Sequence, residues 1–312
     1  MKAGFRGDFM SNPIRHHHVP QTYLKNFSYK KKEQFKFFAL DKETQKIFET
    51  SIEDVAVEKN FYTVEKLKDN YAWEKFYSKN IEPMMKEEIS KVILTSQNCL
   101  IQDRVKILDN EQQIKLAMIM VCQLLRGKHS REFQHKIFEE KAPLILEETK
   151  KKFMGKGNKE LDKALENYQI TDDIFKMTSM EAIFNIEMLC RIIQELLNRC
   201  WVVYRIIGNN EFITSDNPFM FIDNQTFNVA PFHNGISNVR TVTFYPISPK
   251  LVIATYSPEV LGGLLNTYDG RLIVINSEND MRFVDNINKK QLEQCYRQVF
   301  CKTKDNIQKL LK

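Results

Sequence analysis

The feature that most limits this chain is a change of hydrophobic period near Trp201. From about Asp69 onward, Trp73, Phe76, Tyr77, Met84, Met85, Ile89 and Val92 recur at the spacing of one broad helical face. After Trp201 the runs WVVYRII, VTFYPI, KLVIATY and RLIVIN are short, β-branched and bounded by turn residues, the pattern of strands. A third region precedes both. In QFKFFALDKETQKIFE, Phe35, Phe37 and Ala39 alternate and DKET supplies turn chemistry, which predicts a hairpin. A chain ordered in this way is α+β. It has a β-containing N-terminal segment (15–65), a helical middle (69–200) and a C-terminal antiparallel or mixed sheet with a closing helix (201–312). With 312 residues, 43% hydrophobic, and only 10 Gly and 9 Pro, it can bury a large core and has little linker. Residues 1–312 are therefore read as one composite domain.

Local signals add detail. Ser51 is placed to cap a helix, Phe61-Tyr62 to form a short strand or anchor, and Pro83 to kink a helix or open a second one. Asp109 is expected to cap a helix with Ile114, Met118, Val121 and Leu125 on its buried face, which Gly127 ends or bends. Another helix covers Arg131 to about Leu146. Glu147 to Lys163, rich in Lys and Gly, reads as a mobile loop. Ser179 to Asn198, apolar over a wide arc that includes Met180, Ile183 and Phe184, reads as one helix near the centre of the helical region. GNN at 208–210 is expected to turn WVVYRII back on EFIT. Asn288 and Gln291 have capping-box spacing for a final helix burying Leu292, Cys295, Tyr296 and Val299. The first ten or so residues read as a loose arm.

Composition narrows the function classes. No run approaches the roughly 18 to 20 apolar residues of a membrane span, and the N-terminus has no apolar core segment of a secretory signal. The six cysteines are dispersed without a CxxC pair, which reads as reduced thiols in a cytoplasmic protein. The net charge of +6 is a mild excess spread along the chain, compatible with a nucleic-acid partner but weak support for one. No Walker loop, dinucleotide fingerprint, HExxH or EF-hand pattern occurs, so ATP and NAD gain no support.

Two stretches carry candidate chemistry. In RHHHVPQTYLKNF an extended backbone puts His16 and His18 on one side and His17 on the other. Such a pair can serve a metal or a phosphate, but a transition metal needs a third ligand, and the sequence does not place His129, His135 or His233 nearby. The architectural alternative makes Pro20, Tyr23, Leu24 and Phe27 an anchor on the core. In EFITSDNPFMFI, Ser215, Asp216 and Asn217 leave a strand and meet Pro218, which is either a rigid Asx turn or a polar display beside a pocket. Asp216 is a candidate base, histidine orienter or metal ligand, while Ser215 lacks a GxSxG elbow. Arg126, near His129 in QLLRGKHSR, is a candidate phosphate contact. Glu82 reads first as a solvated glutamate and second as a buried polar group. Ser248 and Lys250 follow a strand in YPISPK.

HHVPQTYLKNF, FITSDNP and FYPISPK together resemble the hallmarks of domain-of-unknown-function family 4238, known mainly from bacteria. EDVAVEKNFYTVE, the helix with Glu82 and the QLLR segment also resemble its layout, so the likeness runs from about residue 15 to 305. Its motif positions fall on His18, Pro20, Tyr23, Leu24 and Phe27, on Arg126, on Ser215, Asp216, Asn217 and Pro218, and on Pro246, Ser248 and Pro249. Ile247 departs mildly from the usual leucine, and His16 and His17 are additions. The resemblance implies no established chemistry. The residues themselves then support a hydrolase of phosphodiesters, nucleic acid among them. His18 would be base or ligand, Asp216 orienter or ligand, and Arg126 the phosphate contact, with His16, Tyr23, Ser215, Asn217 and Lys250 on the substrate and a divalent metal compatible with the set. The alternative is a non-catalytic binding or regulatory protein, as in bacterial stress response or phage defence, whose motifs are structural.

Overall fold

The alternation of Phe35, Phe37 and Ala39 produces the expected hairpin. We describe residues 15–64, 68–99, 104–183, 185–228, 235–276 and 281–311 of a computed structural model; the N-terminal arm lies outside them. The N-terminal region runs β1 (Arg15–His17), α1 (Gln21–Leu24), β2 (Tyr29–Lys31), β3 (Gln34–Asp41), β4 (Ile47–Ser51) and β5 (Val57–Lys59). Ser51 ends β4 and caps no helix. Its hydroxyl accepts the Glu53 N–H at 3.2 Å, a local turn competing with helix formation. Phe61 and Tyr62 are a buried anchor in a turn.

The helical region comprises α2 (Ala72–Phe76), a π-helical turn at Tyr77–Ile81, α3 (Glu82–Asn98), α4 (Asn110–Arg126), α5 (Lys128–Phe153), α6 (Lys159–Glu166), α7 (Asp172–Ile183) and α8 (Ile186–Leu197). Pro83 opens α3, where its missing N–H has no intrahelical partner to lose. Asp109 caps α4 in a reciprocal box with Gln112. The buried face of α4 differs from the expected stripe. Leu116, Ala117, Ile119 and Met120 are inside, whereas Ile114 and Met118 are exposed, because α3 and α8 both pack on this helix and shift its buried arc. Glu147 to Lys163 is mostly helical, not a loop. Lys and Glu are good helix formers with solvated faces, and only the link around Gly155 and Gly157, at φ of 74° and 92°, leaves the helix. Ser179 to Asn198 splits in two, since Asn185 accepts the Met188 N–H and starts α8. Ile186 is 75% exposed, so α8 flanks the core and α4 occupies its centre. The side chains of Met180, Ile183 and Phe184 lie outside the described residues.

The C-terminal region runs β6 (Cys200–Ile207), β7 (Thr214–Ser215), β8 (Met220–Asp223), β9 (Thr241–Ser248), β10 (Leu251–Tyr256), α9 (Pro258–Leu261), α10 (Leu265–Tyr268), β11 (Arg271–Asn276), α11 (Met281–Gln294), β12 (Gln298–Cys301) and α12 (Lys304–Gln308). One mixed sheet has the order β11-β6-β10-β9-β8, with β11 parallel to β6. A second joins both ends of the chain, since β12 pairs with β3 and with β7. GNN therefore makes no hairpin between β6 and β7. The chain after β6 is drawn along the β9–β10 turn instead, where Phe212 N–H bonds Pro249 O and Lys250 Nζ bonds the Gly208 and Asn210 carbonyls. Asn288 lies inside α11 and caps nothing. Its amide pairs with Glu211 O and Ile213 N–H, fixing the segment before β7. The helix ends at Gln294, which leaves Val299 on β12.

One core cluster takes in Val19 and Phe37 from the first region, Met120 from the second and Ile253 and Phe300 from the third. A second lies between the C-terminal sheet and α11, with Phe212, Val252, Val284 and Ile287. Among the described residues no helix is long and apolar enough to cross a membrane.

Candidate binding cleft

Pairing of β1 with β5 holds the histidine stretch extended, and alternation buries His16 and His18 together. His16 is a packing residue. Its Nδ1 accepts the Tyr62 N–H at 2.9 Å and its ring stacks on Tyr62. His17 is half-buried, with burial lowering its pKa to about 4. His18 is 5% exposed beside the Phe61 ring, and neither ring nitrogen has a hydrogen-bond partner. Burial, with the charges of Arg126 and Lys128, lowers its pKa to about 3, so the ring is neutral at pH 7.

Arg126 ends α4 inside an aromatic cage. Its Nε donates to Tyr62 Oη at 3.1 Å and its Nη2 to His17 O at 2.7 Å; Glu82 Oε1 lies 3.4 Å away and the Tyr77 ring 4.2 Å. The guanidinium is spent on the protein, tying the histidine strand to α3 and α4. Glu82 serves as its counter-charge. Arg126 and His129 do not face one anion together, because the former is buried and the latter exposed after the break at Gly127.

Asp216 belongs to a separate group. Its carboxylate accepts the N–H groups of Tyr296, Arg297 and Gln298, each at 2.8 Å, and so clamps the turn between α11 and β12. Burial pushes its pKa up to about 6 although these N–H groups pull it down. Ser215 Oγ accepts from Gln291 Nε2 and Asn217 N–H. Asn217 Nδ2 donates to Gln294 O at 2.9 Å. Tyr23 Oη, packed on Tyr245, bonds Pro246 O and Thr214. Lys250 holds the two carbonyls after β6, and Ser248 Oγ accepts the Lys250 N–H. The structure thus joins the His17-His18 segment to Arg126. Among the described residues no hydrogen bond or ion pair links either to Asp216, and no group of three or more His, Cys, Asp or Glu is arranged to hold a metal. His233 lies outside the described residues.

Asn217 and His129 also line a cleft of about 700 Å³. Its helical side carries Leu124 and Leu125 of α4, Phe133 of α5 and Ile192 of α8, and its sheet side carries Phe219 and Phe221. The SDNP turn shapes the second side. The Asp216 clamp sets Cys295 and Tyr296, Asn217 holds Gln294 O, and Gln294 Oε1 accepts the Phe221 N–H at 3.0 Å. Burial pushes the Cys295 thiol up to about 12, which makes it a poor nucleophile. Sequence reasoning passed over Arg191, Gln294, Phe219 and Phe221. Phe219 directly follows the SDNP motif and Phe221 alternates with it on the same side of a strand, a signal the sequence carries, whereas nothing in its local pattern marks Gln294.

The model of a family described as a protein of unknown function (DUF4238) matches residues 15–305. No curated protein and no solved structure matches the chain.

Proposed function

The chain belongs to the DUF4238 family, which brings no activity with it, and we propose from the cleft itself that this is a ligand-binding regulatory protein. The observation that carries the reading is the use to which the motif side chains are put. Arg126, Ser215 and Asp216 are consumed in holding backbone and neighbouring side chains in place, and the cleft bordered by Asn217 and by the Asp216-held Tyr296 is apolar and of ligand size. The setting is a bacterial cytoplasm, in keeping with six cysteines that form no disulfide among the described residues, three of them buried. A binding test uses Nile red, a neutral dye without hydrogen-bond donors. Fluorescence should rise on wild type, and S130W, which sends an indole into the cleft from α5, should abolish the rise while leaving the melting temperature within a few degrees. Equal dye binding by both proteins would refute the reading.

A phosphodiester hydrolase, with nucleic acid among its substrates, is the second reading, and one observation favours it. His18 has two unpartnered ring nitrogens near the positive charges of Arg126 and Lys128. Turnover of bis(p-nitrophenyl) phosphate, with and without divalent metal, should then be measurable and vanish in H18L. Absence of turnover in wild type would end this reading.

A further inference from the structure

We propose that the cleft takes a small aromatic acid bearing a ring N–H or O–H donor, an inference that rests on the cleft-binding reading above. The polar groups of the cleft divide into those already committed and those left over. Lys42 Nζ donates to Glu293 O at 2.7 Å, Glu293 pairs with Lys290, and Tyr296 Oη bonds Glu132. Gln294 gives its Oε1 to Phe221 N–H, while its buried Nε2 has no partner among the described residues and is a donor that an anionic ligand can meet. Asn217 is different. Because its Nδ2 is held by Gln294 O, its amide orientation is fixed, and among the described residues its Oδ1 accepts no hydrogen bond. That oxygen is an oriented acceptor on an apolar wall, so a ligand that covers it must bring a donor or leave it unsatisfied.

On the opposite wall Arg191 of α8 is exposed and makes no ion pair or hydrogen bond among the described residues, not even with Glu195 one turn along. Glu195 also lines the cleft without an ion pair among the described residues, but Lys42, whose Nζ meets only the Glu293 and Cys295 carbonyls, adds a second positive charge to that of Arg191. The uncommitted charge of the lining is therefore positive on balance. Between the two walls the rings of Phe133, Phe221 and Tyr296 border the volume, which suits a flat aromatic body. Donor at one end, ring in the middle and anion at the other describe one chemical class.

Indole-3-acetate is a probe of that class, and two relatives each remove one feature: indole-3-acetamide lacks the charge and 1-methylindole-3-acetate lacks the donor. Calorimetry on the full chain should give indole-3-acetate a dissociation constant tighter than about 1 mM, the level expected of a ligand of this size. Each relative should bind about tenfold more weakly. R191Q should weaken the acid about tenfold and leave the amide unchanged. Equal affinity for all three probes, or an acid affinity untouched by R191Q, overturns the proposal. So does failure of all three to bind while Nile red still binds wild type and not S130W, a result that leaves the cleft-binding reading standing. If Nile red fails as well, both fall together.

Discussion

His18 is the residue whose surroundings make the sharpest demand. A neutral imidazole with two unpartnered nitrogens, 5% exposed, carries the cost of desolvated polar atoms without compensating hydrogen bonds. His18→Leu removes those atoms at similar volume and should stabilise the protein by about 1 kcal/mol at pH 7. The linkage has a definite sign. With a folded pKa near 3 against an ordinary 6.5, the unfolded chain binds the proton first as pH falls, so stability is full above 6.5 and is lost between 6.5 and 3. The loss is at most about 1.4 kcal/mol per pH unit. His17 acts in the same direction and Asp216, with its raised pKa, in the opposite one. Both are present in wild type and variant, so the difference between the two proteins isolates His18. Urea midpoints from pH 7 to 4 should fall less steeply for H18L. A variant that is much weaker at pH 7 would mean that the ring has a partner in solution. Alternation in RHHHV was enough to put His16 and His18 on one side. It did not say which would be satisfied, because the partners of this stretch, Tyr62, Gln123 and Arg126, stand far along the chain.

Among the elements, the SDNP turn has the largest structural consequence. One carboxylate accepts three backbone N–H groups, and through them fixes the start of β12 and one wall of the cleft. Asp216→Asn keeps one acceptor oxygen but aims an NH₂ at backbone donors, so at pH 7 it should cost about 2–4 kcal/mol. Amide exchange at Tyr296, Arg297 and Gln298 should quicken, and Nile red affinity should fall with the loosened wall. Unchanged exchange at those three amides would show that the clamp is not needed. Elements were legible where a period ran long enough, as in the hairpin of β3 and β4 or the capped α4. They are hidden where polarity reads as a loop, as at Glu147 to Lys163, and where a local signal meets stronger distant bonds. GNN lost to the carbonyl contacts of Lys250, and Asn288 to the backbone of Glu211 and Ile213.

For the molecule as a whole, the decisive pairing joins β3 near one end to β12 near the other, and no periodicity encodes which strands will meet. The three regions were readable; their closure on one another was not. That closure predicts how the protein unfolds. The principal core cluster draws on all three regions, and although the smaller cluster under α11 is wholly C-terminal, the sheet it rests on loses its other apolar face when the remaining regions open. The chain has two tryptophans, Trp73 in α2 and Trp201 in β6, which report separately on the helical middle and the C-terminal sheet. In W73F and W201F, urea should shift the remaining emission in step with the loss of far-ultraviolet dichroism of the same variant. One cooperative transition would then describe both halves. If the dichroism of either variant falls in two steps and the tryptophan follows only one, 69–200 and 201–312 unfold as separate units. The cleft, whose walls come one from each, would then open and close between two bodies instead of standing preformed.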